Sequence, residues 1–307
     1  MEIRGIMKKG WLLVAFVGAV LILQGCLKTD NNVYDGYKYL QEDITTLQNY
    51  FTANNIDVMM DSSSGVFYSI DGKGEGYKTV NNTEVEIQYQ GETLDGVEFV
   101  NNFSGNPIGF TLGDKSTYPA SLTEGVIIGI FKMFEGDTAT IYVPSPYGFQ
   151  DKGYQGVPPN TILVYKVRFV KIKNLDTDLA KIDQYILDNN MNASIDSIFG
   201  TRYEIHRVGN GISPKIGAVV SLDYQGELLD GTVFDNSYDR GTPLTFTYGD
   251  GGLIVGFELG VTWLHENDSA TFFIPSIYGY KDAANGDVPA NSVLVFGVDI
   301  KRISNPN

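Results

Sequence analysis

The sequence contains few of the side chains that enzymes use for metal-dependent or nucleophilic catalysis. It has one cysteine and two histidines in 307 residues, too few soft ligands for a zinc site, and its acidic clusters lack the EF-hand pattern. Lysine and arginine number 22 against 37 acidic residues, for a net charge of -15. Since an acidic protein is not attracted to a phosphate backbone, we expect no nucleic-acid partner. The scarcity of metal-ligating side chains leads us to expect no metal, and we expect no cofactor.

The first 26 residues differ in composition from the rest. Three basic residues precede an apolar run from Trp11 to Leu23, which as a helix is roughly 20 Å long, short of a ~30 Å hydrocarbon core. This pattern predicts a signal peptide. The run ends in Leu-Gln-Gly-Cys at Cys26 and resembles a bacterial lipobox, which implies cleavage before Cys26 and lipidation of that residue. The alternative is a stray cysteine in an ordinary signal peptide.

We therefore assign residues 1–25 to a signal peptide, 26–40 to a tether, 41–173 to a first domain and 174–307 to a second domain. The expected location is the cell envelope, with the lipid at Cys26 as the membrane anchor, because an acidic body does not adsorb to anionic lipid by itself. Leu27 follows Cys26 directly, so no acidic residue stands there as a retention signal. This favours the outer membrane of a Gram-negative bacterium and leaves the exposed face open.

An internal repeat is the strongest organisational signal in the chain. An offset of 135 places "YQGETLDGVEFVNN", which begins at Tyr89, on "YQGELLDGTVFDNS", which begins at Tyr224. The same offset relates two amphipathic stretches that predict helices, with Asp43 and Thr177 expected near their starts. The apolar stripes are Ile44, Leu47 and Phe51 in the first and Leu179, Ile182 and Ile186 in the second. Each unit is therefore predicted to be a helix followed by a β-rich body, ending near Lys173 and near Ile303.

The signals within each body are those of strands around one short helix. Asp230-Gly231 predicts a tight hairpin turn, and residues 254–264 have helical apolar spacing. In the first unit the corresponding helix is predicted to open with a capping box, Ser121 to Glu124. The closing runs "ILVYKVRFVKI" and "VLVFGVDIKRI" are typical of core strands. The predicted class is α+β, with two domains that each wrap an antiparallel sheet around a short helix and are each preceded by a helix.

Four motifs carry a family resemblance. In order, "VVSLDYQGELLDGTVFDNS", "GFELGV", "IPSIYGY" and "VPANSVLVFGVDI" resemble the FKBP-type peptidyl-prolyl isomerases. The resemblance covers Tyr203 to Ile303 and recurs, weaker, over Tyr68 to Ile172. It implies a half-open sheet around the helix, with an aromatic pocket between them that holds a proline ring.

The resemblance also implies the residues of that pocket in the second domain. Those assigned to catalysis are Tyr224, Asp235, Ile254 and Tyr280, and those assigned to substrate binding are Phe234, Leu244, Leu253, Phe257 and Phe296. Arg240 is assigned as the charge partner of Asp235. Phe257 stands where the family usually has tryptophan and Leu244 where it often has phenylalanine, and Tyr278 is a rival alignment for Tyr280. Strand-spaced aromatics such as Phe234 are ordinarily plain core, so the assignment depends on the whole set.

Isomerisation about proline requires no nucleophile, metal or proton shuttle. The X-Pro bond has a rotational barrier of about 18–20 kcal/mol, and its twisted state is less polar than the planar amide. A dry aromatic pocket therefore favours the twisted state. The implied partners are proline-containing exported polypeptides, and the family's macrolide inhibitors are candidate ligands.

The first unit departs from the pattern at several of these positions. Val100 replaces Asp235, and the following "NNFSGNP" has no arginine, so acid and base are lost together, as charge pairing demands. The offset places Pro119, which has no N–H, on Ile254 and Leu122 on Phe257, while Phe149 and Tyr165 match Tyr280 and Phe296. We expect the first domain to be an inactive copy that acts as a spacer, a dimerisation surface or a peptide holder. The alternative for the whole chain is a non-catalytic envelope protein that binds proline-containing or extended peptides.

Overall fold

A computed structural model of the protein describes residues 34–306. The predicted signal peptide, the tether up to residue 33 and Cys26 lie outside these residues. The first unit contains two helices, α1 (Gly36–Asn54) and α2 (Glu124–Ile130). Its strands are β1 (Met59–Met60), β2 (Phe67–Gly72), β3 (Glu84–Thr93), β4 (Glu98–Asn101), β5 (Ile108–Thr111), β6 (Thr138–Val143) and β7 (Leu163–Ile172).

The second unit repeats this order with one added helical turn. Its helices are α3 (Leu175–Asp188), the short α4 (Ser237–Arg240) and α5 (Val255–Thr262). Its strands are β8 (Ser194–Ile195), β9 (Arg202–Arg207), β10 (Val219–Leu228), β11 (Val233–Asn236), β12 (Leu244–Thr247), β13 (Ser269–Ile274) and β14 (Leu294–Ser304).

Each unit is built on one antiparallel sheet with the same strand order. The first sheet runs β1-β2-β6-β7-β3-β4, with β5 also paired to β3, and the second runs β8-β9-β13-β14-β10-β11, with β12 also paired to β10. The hairpin from β10 to β11 turns at Gly231, whose φ is 84°, as Asp230-Gly231 predicts. The α+β class and the two repeated domains are confirmed.

The long central strands bury one face. Residues alternate between buried and more exposed along both β3 and β10, which is the period of a strand with one face on a core. The short helix of each unit packs on that face through two glycines four residues apart. A Cβ on Gly125 would lie 2.3 Å from Val143, and one on Gly256 would lie 2.2 Å from Ile274, so glycine is required for the helix to approach the sheet this closely.

These glycines correct the alignment of the two units. Gly125 and Gly129 contact β6 as Gly256 and Gly260 contact β13, so the offset from the helix onward is 131 and not 135. The loop before the helix explains the change, since residues 114–121 of the first unit correspond to residues 250–252 of the second. The first unit thus has a longer loop in front of its short helix.

The helix that precedes the first body begins earlier than the sequence predicts, whereas α3 begins at Leu175, with Thr177 near its start as predicted. Helix α1 starts at Gly36 and buries Leu40, so residues 36–40 are helical although we assigned them to the tether. Asp43 is therefore not near the N-terminus. It is buried inside α1, and its carboxylate accepts hydrogen bonds from the backbone N–H of Ser145 at 2.7 Å and from the Ser145 hydroxyl at 2.6 Å.

The second unit has the same contact. Asp178 in α3 is 1% exposed and accepts from the backbone N–H of Ser276 at 2.8 Å and from its hydroxyl. We refer to these two contacts as the Asp–Ser clamps. Each one fixes a preceding helix to the loop that follows β6 or β13.

Candidate functional site

Three polar side chains of the second domain form a hydrogen-bonded network. Tyr224 lies in the middle of β10, and its hydroxyl donates to the carboxylate of Asp235 on the neighbouring strand β11. Arg240, at the end of α4, donates to the same carboxylate and also to the Tyr224 oxygen at 2.9 Å. The hairpin and the helical turn after it bring these residues together over a short stretch of chain.

The network fixes one protonation state for each member. Burial alone would raise the pKa of the Asp235 carboxyl, but hydrogen bonds from Tyr224 and Arg240 outweigh burial and hold this pKa below its ordinary value. Burial, and then the hydrogen bond to Asp235, raise the pKa of Tyr224. Hydrogen bonds to Tyr224 and Asp235 raise the pKa of Arg240. Asp235 is therefore an anion and Tyr224 a neutral donor at neutral pH.

Aromatic rings lie directly beneath this network. The Phe257 ring, 2% exposed on α5, is edge-on to Tyr224 at 5.8 Å and to Phe296 at 5.0 Å between ring centroids. Phe234 is edge-on to Phe296 at 5.5 Å. A Cβ at Gly226 would lie within 2.8 Å of both Phe234 and Phe296, so a glycine in β10 gives these two rings the room they need.

The loop that leads into α5 forms the next wall. Leu253 and Ile254 are half-buried, and both pack against the same core as the rings. Ile254 is the residue before the first turn of α5, with an extended backbone (φ −62°, ψ 140°). Its N–H donates to no acceptor within residues 34–306, so a backbone donor is free at the edge of this site. We call the surface formed by Tyr224, Phe234, Asp235, Ile254 and Phe296 the cleft.

The structure separates the two tyrosines that the sequence left as rivals. Tyr280 is half-buried and packs against the same core as the rings, and burial and the negative charge of Asp235 raise its pKa. Tyr278 is fully buried and donates to the backbone oxygen of Lys78, in the first domain, at 2.7 Å. Tyr280 therefore borders the cleft and Tyr278 does not. Leu244, on β12, is half-buried opposite Leu222 of β10.

The corresponding space in the first domain is closed from within. Tyr89, the counterpart of Tyr224, is 1% exposed, and its hydroxyl is 2.8 Å from that of Ser121. Tyr165, the counterpart of Phe296, is fully buried and donates to the backbone oxygen of Ser121 at 2.7 Å. Ser121 therefore bonds the hydroxyls of both rings, a contact that the sequence did not predict.

The mouth of the first domain is filled as well. The rings of Phe149 and Tyr154 are stacked at 4.6 Å, and Phe99 is edge-on to Phe149 at 5.5 Å. In the second domain these places are held by Tyr280, the exposed Asn285 and Phe234. Within residues 34–306, the Tyr280 ring makes no ring contact of this kind.

The offset of 131 and the start of α2 overturn three predictions about the first domain. Thr123, which has a backbone N–H, is the counterpart of Ile254, so Pro119 is not, and the argument from a missing donor fails. Val126, not Leu122, is the counterpart of Phe257. Ser121 to Glu124 is not a capping box, because the residue before α2 is Thr123, whose side chain makes no cap hydrogen bond. An alignment of Gly125 and Gly129 with Gly256 and Gly260 would have predicted the correct register between the two units.

The chemistry available at the cleft is that of an apolar surface bordered by the Asp235–Arg240 ion pair and by one free backbone donor. The rings offer an apolar surface, and the Asp235 anion and the Ile254 N–H lie at its border. Among residues 34–306, no group of three or more His, Cys, Asp or Glu side chains is arranged to hold a metal ion. No helix in this part of the chain is long and apolar enough to cross a bilayer.

Comparisons with known proteins find relatives of each unit. The chain is 36% identical over 127 residues to the FKBP-type peptidyl-prolyl cis-trans isomerase FkpA of Aeromonas hydrophila, a match covering 41% of this chain and 47% of that protein. It is 27% identical over 226 residues to the human peptidyl-prolyl cis-trans isomerase FKBP10, covering 72% of this chain and 34% of that protein. The chain thus spans less than half the length of these relatives.

A solved structure and a family profile complete the comparison. The crystal structure of FkpA from Escherichia coli is 31% identical, with a TM-score of 0.38, and the match covers 43% of this chain and 62% of that one. The profile of the FKBP-type peptidyl-prolyl cis-trans isomerases matches residues 76–170 and again residues 211–301. Two matches that together span more than half of the chain show that this protein belongs to the FKBP-type peptidyl-prolyl cis-trans isomerase family, with one copy of the domain in each unit.

Proposed function

We propose that the protein catalyses cis-trans isomerisation of X-Pro bonds in exported polypeptides, and that the second domain carries this activity. The supporting observation is the contrast between the two cleft positions. In the second domain the Tyr224–Asp235–Arg240 network borders an aromatic surface whose rim, Leu253 and Ile254, is half-exposed. In the first domain Ser121 bonds the two tyrosine hydroxyls at the corresponding position, and Val100 stands in place of the acid.

The physical basis is stabilisation of the twisted bond. Amide resonance supplies the rotational barrier of about 18–20 kcal/mol, and it is lost when the bond turns. The rings around Phe257 exclude water and favour this less polar state over the planar one. The N–H of Ile254 can hold a peptide carbonyl oxygen, and the fixed anion at Asp235 favours one orientation of the carbonyl dipole.

The direct test is the full-length protein with Asp235→Val, the substitution that the first copy already contains. We expect kcat/KM for a prolyl peptide to fall at least about tenfold, equivalent to ~1.4 kcal/mol of transition-state stabilisation. The fold should be retained, because Asp235 is half-exposed and Arg240 can turn to solvent. Unchanged turnover would remove Asp235 from the mechanism.

Two control variants isolate the charge and the domain. Asp239→Val removes an exposed acid four residues away that does not contact Tyr224, so turnover should stay at the wild-type level. Tyr89→Phe changes the closed site of the first domain and should also leave turnover unchanged. A fall with Tyr89→Phe comparable to that with Asp235→Val would place activity in the first domain and contradict the proposal.

A second candidate function is peptide binding without turnover. The observation that favours it is the closely packed cleft floor, where Phe257 contacts four other rings. A proline-containing peptide titrated into the full-length protein would then bind with no acceleration of isomerisation. Binding that is abolished by a macrolide inhibitor of the family, together with measurable turnover, would support the isomerase and exclude the pure binder.

We further propose that the protein is lipid-anchored in the cell envelope through Cys26. The support is the order of basic residues, apolar run and cysteine at the N-terminus. Mass spectrometry of the protein purified from membranes should find diacylglycerol on the first residue of the mature chain, and Cys26→Ser should release the protein from the membrane fraction. An unmodified Cys26, or membrane retention of Cys26→Ser, would contradict the anchor.

A further inference from the structure

One loop of the second domain joins the cleft to the first domain. It follows β13, and we define it as the cleft loop, residues 276–292. It carries Tyr280, which is half-buried, packs against the same core as the rings of the cleft, and is near enough to Asp235 for that charge to raise its pKa. The position of this loop therefore sets the position of one wall of the cleft.

The first domain holds the loop on both sides of Tyr280. The hydroxyl of Tyr278, two residues before it, donates to the backbone oxygen of Lys78 at 2.7 Å. The ammonium of Lys281, the residue after it, donates to the backbone oxygen of Asn81 at 2.7 Å. Both acceptors lie in the connection between β2 and β3 of the first domain.

That connection is itself fixed to the second domain. The N–H of Lys78 donates to the backbone oxygen of Ile198 at 2.8 Å. The Tyr278 ring is fully buried and lies edge-on to Phe199, the next residue, at 5.6 Å. Lys78 therefore bonds the second domain through its N–H and its carbonyl, and the Tyr278 hydroxyl has a rigid acceptor.

The far end of the loop is tied to the segment that joins the two domains. Asn174 donates to the side-chain oxygen of Asn291 at 3.0 Å, and the N–H of Asn291 donates to the backbone oxygen of Lys281 at 2.6 Å. Between these contacts lies a crevice of ≈ 330 Å³, lined by residues of the loop and of the first domain. The first domain and the linking segment thus support the loop at separate points.

The first domain has no equivalent of the hydrogen bonds from Tyr278 to Lys78 and from Lys281 to Asn81, which we call the outer contacts. Its counterpart of Tyr278 is Tyr147, whose hydroxyl bonds no other residue in the described range 34–306, and its counterpart of Lys281 is Gln150, which donates to Pro146 of its own loop at 3.0 Å. The Asp–Ser clamp, in contrast, is present in both domains. The outer contacts are therefore a feature of the second domain alone.

We propose that the first domain is an internal support that holds the cleft loop of the second domain in its peptide-binding position, with Tyr278 and Lys281 as positioning residues. This inference rests on the proposed function only in taking the cleft as the peptide site. A loop that is already ordered loses less conformational freedom when a peptide binds. The supports therefore act on peptide affinity and only weakly on the bond rotation itself.

The test uses Tyr278→Phe and Lys281→Met in the full-length protein, with Tyr147→Phe and Gln150→Met as matched controls from the first domain. We expect each test variant to raise KM for a prolyl peptide about fivefold, equivalent to ~1 kcal/mol, with kcat changed less than about twofold. Hydrogen exchange of the amides in residues 279–292 should become faster in both. The two controls should match the wild type in all three measurements.

The measurements separate the failure of this inference from the failure of the proposed function. If the wild type showed no turnover, the proposed isomerase function would be refuted. Hydrogen exchange in the cleft loop, compared between the variants and the wild type, would still test whether the first domain holds the loop. Unchanged exchange with Tyr278→Phe and Lys281→Met would show that the first domain does not hold the loop. Faster exchange with an unchanged KM, or with unchanged peptide affinity where there is no turnover, would show that the held position is irrelevant to the site. Should Tyr278→Phe fail to fold, the partly exposed Lys281→Met decides alone.

Discussion

The two domains satisfy the same tyrosine hydroxyl in opposite ways. Tyr89 and Tyr224 occupy equivalent places in β3 and β10, which pair with β7 and β14 respectively. The hydroxyl of Tyr89 pairs with Ser121 inside the domain, whereas that of Tyr224 pairs with Asp235 and Arg240 at the border of the cleft. Since a buried hydroxyl needs a partner, the choice of partner decides whether the space above the rings is filled or left for a ligand.

The comparison also shows how a site can be lost without a loss of fold. The acid and the base are absent together in the first domain, and the longer loop before α2 supplies the replacement partner. The core strands, the glycine pair and the Asp–Ser clamp are unchanged. The parts shared by the two domains therefore maintain the fold, and the parts that differ should govern activity.

The largest expected effect comes from removing a shared part. Asp178→Ala and Asp43→Ala each leave a buried serine hydroxyl and N–H without an acceptor, so we expect each to lower the free energy of unfolding of its domain by about 3 kcal/mol. Only Asp178→Ala should also impair turnover, because Ser276 begins the cleft loop. Denaturant-dependent hydrogen exchange, read separately for peptides of each domain, measures both. A loss below about 1 kcal/mol in either would contradict the importance of the clamp.

The next effect comes from transferring the closed mouth to the second domain. Tyr280→Phe with Asn285→Tyr recreates the stacked pair Phe149 and Tyr154 in a loop of the same length. We expect kcat/KM to fall about tenfold, because the new ring covers the cleft beside Phe234. Tyr280→Phe alone is the control, and a double variant that is no slower than this control would show that ring stacking does not close the site.

A smaller effect is expected from removing the internal partner in the first domain. Ser121→Ala leaves the buried Tyr89 hydroxyl unpaired, so the first domain should lose about 1–2 kcal/mol of unfolding free energy. Turnover should not change. Exposed Ser104→Ala is the control for the loss of a hydroxyl. Equal stability of the two variants, by thermal or chemical denaturation, would show that Ser121 does not stabilise the closed state.

The smallest expected effect is that of pH on turnover. The pKa of Asp235 lies below its ordinary value and those of Tyr224 and Arg240 lie above theirs, so no member of the network titrates between about pH 5 and 9. We expect kcat/KM to be constant over this range. If kcat/KM changed with pH within this range, a titrating group outside the network would control the rate.

Stability should respond to acid with opposite signs at two carboxylates. The folded pKa of Asp235 is lowered, so its contribution is present above the ordinary carboxyl pKa and is lost as the pH falls through the folded value. Burial raises the pKa of Asp43, so its contribution is complete at low pH and decreases as the pH rises through the folded value. Comparing acid unfolding of Asp235→Asn and Asp43→Asn with the wild type would show the two signs.

The sequence predicts what is local and misses what depends on distant contacts. Tyr224, Asp235 and Arg240 lie within 17 residues, and a hairpin followed by a turn is enough to predict their meeting. Ser121 could not be predicted as a partner of Tyr89, since it lies on a loop whose extra length hides the true register. Asp43 was misplaced near a helix start because its partner, Ser145, is 102 residues away along the chain.

The paired glycines of α5 have a consequence for the floor of the cleft. With no side chain at Gly256 or Gly260, this helix has one allowed rotation about its axis, since any other face would press a Cβ into Ile274 or Phe272. That single rotation aims the residue after Gly256 at the aromatic rings of the sheet. The lack of side chains on one side of this two-turn helix thereby places Phe257 against the aromatic rings.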